Sequence, residues 1–394
     1  MANNNENKIL NVPHLRFPEF TGEWESFKLT ELGKFIGGGT PSSSNLSFWA
    51  GSIPWISSSD IKEDSINNIS ISRYITEEAI EKSTTKYCPA PVILIVSRVG
   101  VGKVALSYTS LCTSQDFCNI IEIKCHPVFL SYNLLRTMKR KSREVQGTSI
   151  KGITSDELQK IRVFIPQDKD EQNKISNILT LLDERIATQN KIIEDLKKLK
   201  SAIIHRCYSS QTKMIPLSEL LKQCSDRNRS GSDLQVLSVS NKYGFIAQSD
   251  QFEDREVASD DTSNYKVVKK GMFAYNPARI NIGSIALYEM DGNGIVSPMY
   301  VCFTTKSELL PSYLKYYFAS QTFKHEMYKR LEGSVRLCLT FEELCNIEIH
   351  LPSIEQQKNI SKYISKIENN LSLVDSIFSK YQQQRRYLLS QMFI

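Results

Sequence analysis

The stretch "SRVGVGKVAL", residues 97–106, has the glycines and the lysine of a phosphate-binding loop. A nucleotide-hydrolysing loop of that kind needs a glycine at its first position and a Ser or Thr after the lysine, because that hydroxyl binds magnesium. Ser97 stands at the first position, and Val104 follows Lys103. The pattern therefore excludes NTP hydrolysis at this loop. The glycines favour either a tight hairpin turn or a backbone that approaches a ligand closely.

Two further stretches imitate motifs of a methyltransferase. "FIGGG" (35–39) resembles a loop that binds S-adenosylmethionine, and "YNPAR" (275–279) resembles the Asn-Pro-Pro-aromatic motif of adenine methylation. Ala278 and Arg279 stand where the second proline and the aromatic residue are required, and "FIGGG" runs into a serine-rich loop instead of a helix. The sequence also lacks a Ser-His-Asp arrangement and an H-E-x-x-H motif. It therefore predicts a protein that is not an enzyme by itself.

The composition indicates a protein of a reducing compartment. The nine cysteines form no C-x-x-C pair, and Cys112, Cys118 and Cys125 beside His126 lack the spacing of a zinc site. We therefore expect buried thiols, no metal and a cytoplasmic location. No run approaches the roughly 20 apolar residues of a membrane span, and "MANNNENKIL" does not resemble a signal peptide. The net charge of +6 permits a nucleic-acid partner without requiring one.

The chain repeats itself. "GTSIKGITSDELQKIRVFIP" (147–166) is echoed by "GSVRLCLTFEELCNIEIHLP" (333–352) with a constant shift of 186 residues. Beyond each proline, "DEQNKISNILTLLDERI" matches "EQQKNISKYISKIENNL", now shifted by 185 residues. Upstream, "VGKVALSYTS" resembles "IGSIALYEMD" more loosely. This pattern predicts two copies of one module, each ending in the same kind of segment.

Each copy ends in a long helix with apolar residues alternately four and three positions apart, which is the heptad pattern of a coiled coil. Gln189, Lys200 and Arg385 interrupt the two patterns. Three further apolar residues flank the first pattern and are candidates for a partner surface or for burial against a neighbouring element: Ile178, Ile192 and Leu199. The heptad positions are Ile175, Leu179, Leu182, Ile186, Ile193, Leu196 and Ile203 in the first helix, and Ile360, Ile364, Ile367, Leu371, Val374, Phe378, Tyr381 and Leu388 in the second.

The length of these helices predicts their arrangement. The first is expected from Asp170 to about Cys207, which is about 57 Å at 1.5 Å per residue and longer than a module is wide. An amphipathic helix lying on its own module is the alternative. Because the chain enters the second module at the far end of the first helix, the second helix must run back along it. The sequence thus predicts an antiparallel pair with a module at each end, a geometry suited to reading two separated marks on a polymer.

The modules themselves read as mixed α/β domains. The first has strand-like runs "PVILIV" and "NIIEIK", followed by a helix from about Ser131 to Glu144. The second has "LQVLSVS", "GMFAYN" and "SIALYE", followed by one helix over 311–331. A short loop and a last strand, ending at Pro166 or Pro352, close each module. Strands followed by one helix, twice over, predict an α+β fold.

These stretches together resemble the DNA-specificity (S) subunits of type I restriction-modification systems, over nearly the whole chain. "FIGGGTP", "WAGSIPWISSSDI" and "SRVGVGKVAL" are similar to landmarks of an N-terminal target-recognition domain in that family. "IPQDKDEQNKISNILTLLDERI" and "LPSIEQQKNISKYISKI" are similar to its central and distal conserved regions. The second module departs from the pattern, since it lacks counterparts of "GGTP" and of "WAGSIPW".

The resemblance implies target-recognition domains at 1–166 and 209–352, a spacer helix at 167–208 and a distal helix at 353–394. It implies a non-catalytic subunit in which each domain reads one half of a bipartite site in double-stranded DNA. The helix pair would set the gap and dock two methyltransferase (M) subunits, with restriction-translocase (R) subunits completing the complex. S-adenosylmethionine, ATP and magnesium are then expected on those partners only.

Within this reading, DNA contacts are expected from basic and polar residues on the glycine turns and on the segments that follow them. Arginine and lysine suit phosphate oxygens and guanine edges. A basic run on a helix can equally be a solvated face. The candidates are Ser97, Arg98, Lys103, Lys139, Arg140, Lys141, Arg143 and Lys151 in the first module, and Arg227, Arg229, Asn276, Arg279 and Arg336 in the second.

Two other classes of protein remain open on the sequence. One is a complete enzyme, a fused methyltransferase or nuclease, which S-adenosylmethionine binding by the isolated chain would support. The other is a scaffold whose two modules bind proteins, which salt-sensitive retention on DNA would contradict.

Overall fold

The computed structural model describes residues 10–145, 152–209, 214–229, 233–248, 261–333 and 337–394. The chain forms two compact units, the first made of Met1–Asn190 and Ile377–Ile394 and the second of Lys191–Ser376. Each unit therefore contains a part of both long helices, whereas the sequence predicted modules and helices as separate segments. Within the described ranges, none of the helices combines the length and the apolar character that a membrane crossing requires.

The first unit is built mainly from short strands. Its helices are α1 (Leu29–Leu32), α2 (Glu77–Glu81), α3 (Pro127–Val145) and α4 (Ser155–Lys160), with 3₁₀ turns at Leu46–Trp49 and Ser58–Asp60. Its strands are β1 (Glu25–Lys28), β2 (Lys34–Gly37), β3 (Ile53–Ile56), β4 (Arg73–Ile75), β5 (Tyr87–Cys88), β6 (Val92–Val96), β7 (Val104–Ser107), β8 (Leu111–Thr113), β9 (Phe117–Ile121) and β10 (Arg162–Ile165).

The long helix α5 (Lys169–Tyr208) leads from the first unit into the second. The second unit has the helices α6 (Leu217–Leu220), α7 (Pro311–Phe318), α8 (Gln321–Tyr328) and α9 (Phe341–Cys345), a 3₁₀ turn at Ile280–Ile282, and the start of α10 (Ile354–Gln391). Its strands are β11 (Met214–Pro216), β12 (Leu221–Cys224), β13 (Gln235–Ser240), β14 (Gly244–Ala247), β15 (Lys266–Val268), β16 (Phe273–Tyr275), β17 (Ile285–Leu287), β18 (Gly294–Val296), β19 (Val301–Thr305) and β20 (Glu348–His350).

The two units share one sheet topology. In the first, β1 pairs with β10, and two four-stranded sheets have the orders β2-β9-β6-β7 and β4-β3-β8-β5. In the second, β11 pairs with β20, and the orders are β12-β19-β16-β17 and β14-β13-β18-β15. The pairs β3–β8 and β13–β18 are parallel, and every other pair is antiparallel. Each strand thus has its counterpart ten strands later, which confirms the duplication predicted from the sequence.

The repeated residues at the end of each module cap a short helix. Thr154 precedes α4, and its hydroxyl accepts the N–H of Glu157 at 3.2 Å. Thr340 precedes α9 and accepts the N–H of Glu343 at 3.1 Å. Because Ser and Thr side chains satisfy the free N–H groups of a helix start, the threonine of the repeat is explained by local structure.

A buried glutamine anchors the start of each long helix. In the first unit, Gln172 Nε2 donates to the Pro166 carbonyl at 2.8 Å, while its Oε1 accepts the N–H of His126 at 2.9 Å. In the second, Gln357 Nε2 donates to the Pro352 carbonyl at 2.9 Å, and its Oε1 accepts the N–H of Leu310 at 2.8 Å. The conserved geometry explains why the glutamine recurs in the two copies.

Both long helices contribute to the hydrophobic core of each unit. In the first unit, Leu179 and Leu182 from the beginning of α5 share a core with Leu388 and Phe393 from the end of the chain. In the second unit, Ile204 near the end of α5 shares a core with Ile364 near the beginning of α10. In each unit the two helix segments therefore run antiparallel, as predicted.

Two helices differ from their predicted bounds. The helix expected from Ser131 begins four residues earlier, at Pro127. The helix expected over 311–331 is two helices, α7 and α8, separated at Ala319 and Ser320. Ser320 caps α8, since its side chain accepts the N–H of Phe323 at 3.0 Å. A serine that prefers a cap to a helix interior explains the break, because its hydroxyl competes for backbone hydrogen bonds.

Candidate nucleic-acid interface

The glycine turn of the first unit connects β6 to β7 in an antiparallel hairpin. Gly100 and Gly102 have φ values of 89° and 110°, a region that glycine adopts without strain. Ser97 is buried, and its hydroxyl donates to the Asp116 carbonyl at 3.0 Å. Lys103 Nζ donates to the Ser58 carbonyl at 3.0 Å. These two candidates therefore hold the turn in place, which sequence reasoning did not anticipate.

Arg98 is the exposed cation of this turn and forms no hydrogen bond or ion pair with any residue that the structure describes. The turn packs against the end of α3. A Cβ atom added to Gly102 would lie 3.2 Å from the Ser142 side chain, so only glycine allows this approach without a shift of its neighbour. The structure thus brings Arg98 and the basic run of α3 to neighbouring positions of the first unit.

The basic run on α3 divides into bound and exposed members. Lys139 Nζ forms an ion pair with Asp64 at 2.6 Å, and Lys141 is half-buried. Arg140 and Arg143 are exposed and have no hydrogen bond or ion pair within the described ranges. Of the four predicted contacts on this helix, these two arginines have their guanidinium groups available for a ligand.

The second unit has an equivalent turn between β16 and β17. Asn276 Oδ1 accepts the N–H of Ala278 at 3.1 Å, and Arg279 N–H donates to the Asn276 carbonyl at 2.9 Å. Asn276 therefore shapes the turn. Arg279 is exposed, and its side chain has no partner among the described residues. In both units an arginine with an available guanidinium lies on the turn that follows a buried central strand.

The two turns are also anchored alike. The N–H of Ile153 donates to the Ser97 carbonyl at 2.8 Å, and the N–H of Leu339 donates to the Pro277 carbonyl at 3.2 Å. The segment before each short capped helix thus binds the first residues of its turn. Since Ser97 corresponds to Pro277, Arg98 and Arg279 are not at equivalent positions of their turns.

Exposed apolar side chains surround the second turn and were not among the predicted contacts. Ile282, Met299 and Tyr328 are 58%, 62% and 57% exposed. Tyr328 OH donates to the Asn281 carbonyl at 3.3 Å, which joins the end of α8 to the turn. On the first turn Val99 is 71% exposed. Apolar residues inside a glycine-rich turn, "VGVG" and "RINIG", are the signal that could have revealed Val99 and Ile282.

The remaining candidates lie in loops. Arg227 is exposed, and its Nη1 donates to Asn264 Oδ1 at 2.8 Å. Arg229 is exposed without a partner in the described part of the chain. Lys151 and Arg336 lie outside the described residues.

The heptad positions of the two long helices, together called the seam, and the apolar residues that flank them are buried to different degrees. Ile178 is half-buried and packs against the core of the first unit, whereas Ile192 and Leu199 are 41% and 49% exposed. The buried seam residues are Ile175, Leu179, Leu182, Ile193, Ile364, Ile367 and Leu388. The half-buried ones are Ile186, Leu196, Ile203, Ile360, Leu371, Val374, Phe378 and Tyr381.

The polar interruptions of the seam form ion pairs. In the first unit, Arg385 pairs with Asp183, and both side chains are less than a tenth exposed. In the second, Lys200 Nζ lies 2.6 Å from Glu368 Oε1. Tyr132 OH donates to Asp183 at 2.9 Å, and Tyr316 OH donates to Glu368 at 2.9 Å. Burial raises the pKa of both phenols, so they remain donors.

The cysteines are all free thiols. Burial raises the pKa of Cys88 to about 11 and that of Cys112 to about 12, so both stay protonated at neutral pH. Among the described residues, no three His, Cys, Asp or Glu side chains are grouped closely enough to hold a metal ion.

Comparison with known proteins identifies the duplicated unit. The sequence model of one family, described as the type I restriction modification DNA specificity domain, matches residues 21–198 and again residues 218–377. The two matches cover most of the chain and coincide with the two copies of the repeat. The chain therefore belongs to the type I restriction modification DNA specificity family.

Individual relatives agree with this assignment. The chain is 32% identical over 184 residues to the type I restriction enzyme MjaIX specificity subunit of Methanocaldococcus jannaschii, over 45% of this chain and 42% of that protein. It is 33% identical over 192 residues to a type I restriction enzyme specificity subunit of Escherichia coli, over 47% and 46% of the two chains. The chain thus spans less than half of the length of these two relatives.

Solved structures share the fold over nearly the full length. The crystal structure of the type I restriction-modification system S subunit from M. genitalium covers 97% of this chain and 99% of its own, with a TM-score of 0.63 and 16% identity. A structure described as showing complex assembly and conformational transition of the type I R-M system covers 94% and 97%, with a TM-score of 0.56 and 14% identity. These likenesses show the fold, an α+β pair of similar domains with long helices.

Proposed function

We propose that this chain is the sequence-reading subunit of a type I restriction-modification complex. Each unit reads one half of an asymmetric, bipartite site in double-stranded DNA. The observation that carries the proposal is the repetition of one strand order, with an exposed arginine on the equivalent hairpin turn of each unit that has no partner among the described residues. Guanidinium groups on turns suit the O6 and N7 acceptors of guanine or phosphate oxygens.

The surroundings of the turns support different readings of the two half-sites. The turn that carries Arg279 also exposes Ile282, and Met299 lies against Asn276 of the same turn; such apolar side chains suit the methyl group of thymine. The turn that carries Arg98 packs against the end of α3, where the exposed Arg140 and Arg143 suit phosphate contacts beside it. The two units share one framework but differ in the surface around the turn. Two different half-sites require two different surfaces of this kind.

Methylation and restriction are carried out by partner subunits. Two M subunits dock on the helix pair, where Ile192 and Leu199 are exposed apolar candidates, and R subunits complete the complex. S-adenosylmethionine, ATP and magnesium belong to those partners, and this subunit is not itself catalytic. The site of action is the cytoplasm of a bacterial or archaeal cell.

Mapping methylated bases genome-wide, in cells that express the M subunit with and without this chain, tests the proposal. We expect methylation at one bipartite motif that disappears without this chain. Methylation by this chain alone would instead support a fused methyltransferase. Unchanged methylation, together with DNA retention that does not weaken with salt, would support a protein scaffold.

A further inference from the structure

A cavity of about 610 Å³ lies within the first unit. Its walls are α3, the loop around residues 62–68, and the parts of α5 and α10 that belong to this unit. Seven basic and three acidic side chains line it, so its lining carries a clear excess of positive charge. The proposed reading of DNA bases by the two turns does not account for this cavity.

Helix α3 supplies four of the seven basic side chains. Arg136, Arg140 and Arg143 are spaced by four and three residues, so they project from the same side of the helix. Arg386 of α10 lines the cavity as well. Arg140, Arg143 and Arg386 are exposed, and none has a hydrogen bond or ion pair in the part of the chain that the structure describes.

Four of the other charged side chains hold the walls through two ion pairs. Lys139 Nζ pairs with Asp64 at 2.6 Å, which ties α3 to the loop, and Arg385 pairs with Asp183 across the two long helices. The half-buried Arg136 has its pKa lowered by burial and by the charge of Arg140. The arginines repel each other, and the ion pairs fix the walls that carry them. The cavity is therefore preorganised to bind an anion.

The second unit does not repeat this arrangement. Tyr132 of α3 and Tyr316 of α7 make the same contact with a carboxylate on a long helix, which aligns the two copies. In that alignment Ser320, Lys324 and Met327 replace Arg136, Arg140 and Arg143. A ligand of this cavity therefore binds once per chain. A partner that docks equivalently on both copies is not its occupant.

We propose that the cavity binds one ligand carrying at least two phosphate groups. Guanidinium groups recognise phosphate through paired hydrogen bonds, and cavities of about 300–1,000 Å³ are typical of small-molecule sites. A free nucleoside polyphosphate and adjacent phosphodiesters of a nucleic-acid strand both supply this chemistry. The inference does not depend on the proposed function, because phosphate binding is measured without DNA.

Isothermal titration of the full chain with sodium tripolyphosphate at physiological salt tests the site. We expect one equivalent to bind, and affinity to fall at least tenfold in an Arg140→Gln/Arg143→Gln variant and in Arg386→Gln. The matched control is Lys324→Gln, the counterpart of Arg140 in the second unit, which should bind as the unchanged chain does. Thermal melts check that the exposed substitutions leave the fold intact.

Several results would overturn the site. They are the absence of binding, binding of several equivalents, or an equal loss in the Lys324→Gln control. An Arg140→Lys/Arg143→Lys variant separates charge from geometry, since partial retention is expected if the cavity recognises phosphate.

Competition identifies the source of the phosphate. ATP without magnesium and a duplex of random sequence are each added to the complex with tripolyphosphate. If ATP but not the duplex displaces tripolyphosphate, the natural ligand is a free nucleotide. If the duplex displaces it, the natural ligand is a DNA backbone. In either case the variants that bind tripolyphosphate weakly should also bind the competitor weakly. Tripolyphosphate binding in a chain that fails to bind DNA would contradict the proposed function and leave this site standing.

Discussion

Arg385 and Asp183 form an ion pair between the two long helices of the first unit, where Arg385 Nε donates to Oδ1 and Nη2 lies 3.4 Å from Oδ2. Lys200 and Glu368 form the corresponding pair in the second unit. The same number of residues separates Asp183 from Lys200 on α5 and Glu368 from Arg385 on α10. Charged residues inside an apolar seam specify register, because any slip leaves a charge without its partner.

The two ion pairs differ in burial, and their removal should differ in cost. Arg385→Met leaves the buried Asp183 with Tyr132 as its one side-chain donor among the described residues, so we expect a loss of about 3–5 kcal/mol in the free energy of unfolding. Lys200→Met should cost about 1 kcal/mol or less, because Lys200 and Glu368 are 27% and 33% exposed. Urea denaturation measures both.

The control replaces the whole buried group. An Arg385→Met, Asp183→Leu and Tyr132→Phe variant removes both charges and the phenol hydroxyl together, and it should recover most of the lost stability. Equal losses for Arg385→Met and Lys200→Met would contradict the assignment of the first pair as the buried one.

The buried glutamines should be needed for stability in both units. Gln172→Leu removes the acceptor of His126 N–H and the donor to Pro166. Gln357→Leu affects three backbone groups, those of Leu310, Glu308 and Pro352, and should cost more. Each buried group left unsatisfied costs about 1–3 kcal/mol.

Thermal or urea unfolding of the two glutamine variants is compared with Asn173→Leu, a change at an exposed neighbouring position that should be nearly neutral. If all three variants unfold alike, the hydrogen bonds of these glutamines contribute nothing specific.

His126 should make the stability of the first unit depend on pH. Burial lowers its pKa below 6.5, and its Nδ1 lies 2.9 Å from Ser176 Oγ. Well above pH 6.5 the ring is neutral in both states. As pH falls below 6.5 the unfolded chain takes up the proton first, so stability declines until the pH reaches the lower folded pKa.

His126→Leu copies Leu310, the residue whose N–H makes the equivalent hydrogen bond in the second unit. Unfolding free energies measured between pH 5 and 8 should therefore fall less steeply on acidification in this variant. The same pH dependence in both chains would assign the effect to other groups.

Each half of the DNA target should depend on its own arginine. In the complex with M subunits, Arg279→Ala should relax base preference in one half-site, at a cost of about 1–3 kcal/mol for a lost bidentate contact. Arg98→Ala should affect the other half-site only. Binding to duplexes substituted at single positions measures this. A uniform loss on all sequences would make the arginine a phosphate contact.

The helix pair should determine the gap between the half-sites. Deleting one heptad from each helix, residues 186–192 and 376–382, keeps both ion pairs and shortens the helices by about 10 Å. The permitted gap should then shrink by about three base pairs at 3.4 Å per base step, with both half-sites unchanged. Deletion from α5 alone should abolish binding, because the two pairs then lose register. An altered base preference with an unchanged gap would contradict the assignment of the helix pair as the spacer.

Sequence reasoning was strongest where patterns are local. The two long helices and the glycine turn before β7 each depend on neighbours within a few residues. The same reasoning failed at Ser320, where a cap divides an expected helix. It also did not reveal the hydrogen bonds of Ser97 and Lys103 to distant carbonyl groups.

The sequence by itself determined the duplication, the two long helices, their antiparallel course within each unit and the family. Repeats and periodicity report directly on which elements form, because short-range geometry repeats along the chain. Only the tertiary structure decided which cationic side chains are available to bind a ligand, that Asp183 pairs with Arg385, and where the arginines of α3 line a cavity. Those facts depend on contacts between residues far apart in sequence, and no periodic pattern records such contacts.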